Sequence, residues 1–88
     1  MANQDVNAKD AIETVEQYLS NYPVSSNRIT DVVTSSNMAY IHGELHRRER
    51  FFPDRDSDIN GFDFVGPIRW YKSGFDIVYS VVLVDDGM

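Results

Sequence analysis

The sequence predicts an α+β domain, with one N-terminal helix packed on a four-stranded antiparallel meander. Three observations carry this. Ala8, Ala11, Ile12, Val15, Tyr18, Leu19 and Tyr22 recur at three- and four-residue steps, the spacing of one helical stripe. After Pro23 that period ends and strand-like runs follow, separated by turn residues. The last of them, Phe75 to Val84, is apolar on both faces: Phe75, Ile77, Tyr79, Val81 and Leu83 alternate with Val78, Val82 and Val84.

The helix is expected over about residues 8–21, after a short flexible lead at 1–6. Asn7 is its N-cap, because a side-chain oxygen there accepts an otherwise unpaired amide of the first turn. Asp10 sits in the reciprocal capping position. Pro23 stops the helix by disfavouring helical geometry at Tyr22. Ser25-Ser26-Asn27 then reads as a connection. The strands are expected at Arg28–Thr34, Met38 to about Arg48, Phe62–Tyr71 and Phe75–Val84. Ser35-Ser36-Asn37 is a turn, Pro53–Gly61 a polar loop and Lys72-Ser73-Gly74 a hairpin loop. Gly66-Pro67 marks a bulge or an edge position, since proline cannot donate to a strand ladder. This order of elements resembles the architecture of cystatin-like folds, in which a sheet curls around one helix. That resemblance carries no function.

Composition narrows the function classes. Fourteen acidic against 8 basic side chains give a net charge of −6 over 88 residues. A protein that tracks nucleic-acid phosphates normally carries a basic face, so nucleic acid is an unfavoured partner. There are no cysteines, which excludes disulfides and thiolate metal sites. No apolar run approaches a membrane span, and the first residues are polar. A single soluble cytoplasmic domain that does not engage a membrane is the expectation.

Three local patterns invite chemistry. Asp56-Ser57-Asp58-Ile59-Asn60-Gly61 matches the first half of a calcium loop, with oxygen ligands from Asp56, Asp58 and Asn60 and glycine at the sharp turn. The match fails at its twelfth position, which is Pro67 where a bidentate glutamate belongs, so tight calcium binding is not expected. His42, Glu44 and His46 share one face of a strand. Residues two apart lie about 6.6 Å from each other along a strand, so two neighbours can share a metal, but all three cannot without a bend. The run His46-Arg47-Arg48-Glu49-Arg50-Phe51-Phe52 is a basic patch ending in aromatics, a composition enriched at interface hot spots. No phosphate loop or nucleophile elbow is present, and nothing in the chain asks for a catalytic role or a cofactor.

One helix covers one face of a sheet. The valines opposite the larger apolar set therefore face water or a partner. The expected function is a small acidic protein-interaction module, an inhibitor or accessory protein of the kind phages and mobile elements encode. It would mask the surface of another protein, or of a second copy as a homodimer. The expected interface is Val78, Val82, Val84 and Tyr71, with Val65 beside them and Arg47, Arg48 and Arg50 as its basic part. The alternative is a small-ligand or metal-binding domain that uses the 54–63 loop or the His42/Glu44/His46 face.

Overall fold

A computed structural model describes residues 5–51 and 59–85, with the backbone alone at 66–73. Helix α1 spans Ala8–Leu19 and is followed by strands β1 (Val24–Thr34), β2 (Met38–Arg47), β3 (Phe62–Ser73) and β4 (Asp76–Asp85). The fold is α+β, with one helix against one antiparallel sheet.

Asn7 caps α1 as its sequence position requires. Its Oδ1 accepts from the amides of Lys9 at 2.8 Å and Asp10 at 3.3 Å. The helix ends two residues earlier than expected, at Leu19, where the Ser20 amide closes the last turn on the Glu16 and Gln17 carbonyls. The stripe Ala11, Val15, Tyr18 and Leu19 is buried, Ile12 is half-buried, and Ala8 is exposed. Val6 belongs to the core and not to a loose lead: it is buried, and its amide donates to the Ser35 carbonyl at 2.7 Å.

The strand order is β1-β2-β4-β3, so β4 inserts between β2 and β3 where a simple meander would place β3. The connection 48–61 explains the difference. Strand β2 ends near Asp76 and β3 begins opposite Asp85, at the other end of β4. The end of β2 and the start of β3 therefore lie about 30 Å apart for strands of this length. Only a long connection spans that distance, and β4 then pairs between β2 and β3 through a tight hairpin. Both described ends of the connection lie on the helix side. Phe51 stacks on Tyr22 with ring centroids 4.9 Å apart, and the Asn60 side-chain amide donates to Thr14 Oγ1 at 3.2 Å.

Ser25, Ser26 and Asn27 are part of β1 and not a connection. The strand holds them through irregular pairing, with register shifts beside Ser25 and Thr30. The shift at Thr30 lets Ile29 and Val32 both pack against the core although they are three residues apart. Gly66-Pro67 lies on an edge strand and inside the register shift between Val65 and Arg69. The β3–β4 loop is Gly74-Phe75, one step later than expected, with Gly74 at φ 64°. Phe75 consequently sits in the turn and is exposed, not in the core row.

The core lies between α1 and one sheet face. It contains Ala39, Ile41 and Leu45 from β2, Ile77, Tyr79, Val81 and Leu83 from β4, and Phe62 and Phe64 from β3. Tyr79 crosses over Gly43, its register partner in β2, and its hydroxyl donates to Asn27 Oδ1 at 2.6 Å. Burial pushes the Tyr79 phenol well above its usual range, partly offset by the Asn27 bond.

Candidate interaction surface

Strand alternation sends every second side chain of β2 and β4 away from the helix. On that outer face the register lines up one apolar row across all four strands. Val33 pairs with Tyr40, Tyr40 with Val82, and Val82 with Val65. At about 4.8 Å per strand, the row is ~14 Å long. Met38 and Val84 pair beside it. Several of these side chains are well exposed: Val33 57%, Val65 47%, Met38 40% and Tyr40 39%. Val82 and Val84 are half-buried by their neighbours.

The far end of the face is polar. Glu44 pairs in register with Val78, and His46 with Asp76. Arg28 Nη2 lies 3.1 Å from Glu44 Oε1, and His46 Nδ1 lies 2.7 Å from Asp76 Oδ1. Both pairs are solvent-exposed, so each contributes little to stability. Together with Ser26 and Val78 they border an open depression of ≈ 460 Å³. His42 sits between the two ends, its ring edge-on to Tyr40 at 4.8 Å.

Among the described residues nothing covers this face. Val6, Phe51 and Ile59 come from the two segments able to fold over it, and all three pack against the core on the helix side.

The expected interface residues divide. Val78, Val82 and Val84 all lie on the outer face, and Val78 is 48% exposed. Tyr71 stands opposite Val78 in register. Arg47 is not a surface residue. It shares the inward parity of Ile41 and Leu45, is buried, and donates to the carbonyls of Gly74 at 3.0 Å and Phe51 at 3.4 Å. It ties the hairpin to the start of the long connection and is not part of the outer face. Arg48 and Arg50 are exposed but follow β2, beyond the paired part of the outer face. The Arg48 amide donates to the Pro23 carbonyl, beside the end of the helix.

His42, Glu44 and His46 do share one face, but Glu44 and His46 are drawn to separate partners and His42 packs on Tyr40. Among the described residues no group of three or more His, Asp or Glu side chains is placed to hold a metal ion. Asp56 and Asp58 lie outside the described residues. Asn60 takes a left-handed conformation, φ 53°, and spends its amide on Thr14.

The sequence reasoning missed Val33, Met38 and Tyr40. The signal for two of them was present: with Ile41 and Leu45 inward, alternation puts Met38 and Tyr40 outward. Val33 required the β1 register, which the Thr30 shift conceals. No protein-family model, curated protein or solved structure matches this chain. No described helix is long and apolar enough to cross a membrane.

Proposed function

We propose that this chain is a small protein-interaction module that docks through the helix-free face of its sheet and masks the surface of another protein. The single observation behind this reading is the uninterrupted apolar row Val33–Tyr40–Val82–Val65, left open across the full width of the sheet. Contiguous exposed apolar surface on a small domain marks a binding site more often than chance placement does. Size and acidity suit an inhibitor or accessory protein, such as those of phages and mobile elements, working on a cytoplasmic target. The reading needs no catalytic group and no cofactor.

The test uses the whole chain and its Val82→Glu variant as baits in extracts of the source cell. The reading expects one stoichiometric protein partner on the wild type, lost with the variant while the variant stays folded. Retention of the same partner by both baits would place the interface elsewhere. A wild type that stays monomeric and retains nothing would contradict the reading.

A further inference from the structure

The outer face carries chemistry beyond its apolar row, and that chemistry narrows the partner. Among side chains described there, Asp31, Glu44, Asp63 and Asp76 are acidic and Arg28 is a fixed cation; Arg69 holds a register position on the same face, opposite Ser80, which leaves four acids against two arginines. Asp31 flanks the row two residues from Val33 on one edge strand. Asp63 flanks it two residues from Val65 on the other. Two copies docking face to face would bring these carboxylates together, each copy already carrying a net charge of −6. The occupant that this arrangement fits is a foreign protein and not a second copy.

We infer that the partner presents an apolar ridge bordered by Lys or Arg. The ridge lies on Val33, Tyr40, Val82 and Val65, and a basic side chain enters the depression between Glu44 and Asp76. This rests on the reading of the outer face as the docking surface. Val78 stands between the two carboxylates in the ladder, where the aliphatic stem of a lysine or arginine lies well. The cationic head then reaches the carboxylates. Arg28 and His46 now hold those acids in exposed pairs, which exchange at little cost. A lysine or arginine of the partner then adds a charge-assisted contact to Glu44 and Asp76, whose solvated pairs with Arg28 and His46 yield room for it at the rim.

The experiment is a two-dimensional NMR titration with synthetic amphipathic helical peptides. One has a leucine face bordered by lysines, one the same face bordered by glutamates, and one lysines with serine in place of leucine. The lysine-bordered leucine peptide should shift amides of the outer face alone. Glu44→Gln/Asp76→Asn should weaken it about tenfold, the scale of one charge-assisted contact. Val82→Glu should abolish it, and the other two peptides should bind far more weakly. Equal binding of the lysine- and glutamate-bordered peptides would overturn the basic-partner inference. So would an unchanged affinity in Glu44→Gln/Asp76→Asn, or no binding at all. In the first two cases loss on Val82→Glu still upholds the docking face itself. Binding that survives Val82→Glu would remove both. A wild-type dimer in sedimentation, dispersed by Val82→Glu, would make the occupant a second copy and overturn the inference.

Discussion

Gly43→Ala is the substitution whose cost follows most directly from the packing. Gly43 lies in the middle of β2, opposite Tyr79 in register. A methyl group built on it would overlap the Tyr79 ring at its hydroxyl end. The ring cannot simply swing aside. It is 1% exposed, wedged among Ile77, Val81 and the helix stripe, and its hydroxyl is fixed to Asn27 at 2.6 Å. Overpacking a core by one methyl costs about 1–3 kcal/mol. If the ring moves and the Asn27 bond breaks, a buried unsatisfied hydroxyl adds roughly 1–3 kcal/mol. The expected loss with both effects is ~2–6 kcal/mol, a large share of the 5–15 kcal/mol typical of a domain. For a chain of this size each kcal/mol moves the midpoint by about 4–8 °C. Thermal and urea unfolding of the single variants and of Gly43→Ala/Tyr79→Leu measure it. The shorter leucine relieves the overlap, so the double variant should be more stable than the sum of the singles requires. A Gly43→Ala midpoint within about 3 °C of wild type would refute the packing described here.

Three further outcomes are expected. Leu19→Ala should cost about 2–5 kcal/mol, and Ile12→Ala distinctly less because Ile12 is only half-buried; equal midpoints for both variants and wild type would reject the helix face. Tyr79 holds its proton more tightly folded than unfolded, so its contribution is complete below the unfolded value near 10 and is lost as pH rises above it. Stability should therefore fall by up to about 1.4 kcal/mol per pH unit in that window, and a Tyr79→Phe variant with the same alkaline slope would show that the phenol is not responsible. Calcium should leave the melting temperature unchanged, since the twelfth loop position is Pro67 where a bidentate glutamate belongs; a rise abolished by Asp56→Ala and Asp58→Ala would revive the metal reading.

What was legible in the sequence was whatever is set locally. The three- and four-residue stripe, Asn7 and the strand alternation fixed α1 and the inward set Ile77, Tyr79, Val81 and Leu83. What depends on long-range pairing was not legible. Serines favour turns locally, yet Ser25 and Ser26 extend β1 because β2 offers them a ladder, and the Ser25 hydroxyl donates to the His46 carbonyl at 3.0 Å. The strand order depended on where 48–61 travels, which periodicity does not encode. Arg47 looked like a surface cation by residue type. Its parity with Ile41 and Leu45 outweighed that, because the open carbonyls of Gly74 and Phe51 give its guanidinium partners inside. The outer valines were legible from the double-faced run itself. The apolar row through Val82 was not, because it includes one residue from each strand.

The most direct test of the account compares neighbours on β4. Val81 faces the core and is 3% exposed, whereas Val82 lies in the open row. Glutamate at position 81 buries an unpaired carboxylate, which costs several kcal/mol. Glutamate at 82 meets water and loses mainly strand-surface packing, about 1 kcal/mol. Circular dichroism melts of Val81→Glu and Val82→Glu, taken at concentrations dilute enough to keep the chain monomeric, measure the contrast. The account predicts an unfolded or barely folded Val81→Glu and a Val82→Glu that melts within about 8 °C of wild type. If Val82→Glu unfolds as readily as Val81→Glu, the outer valines hold the fold together and the face is not a docking surface.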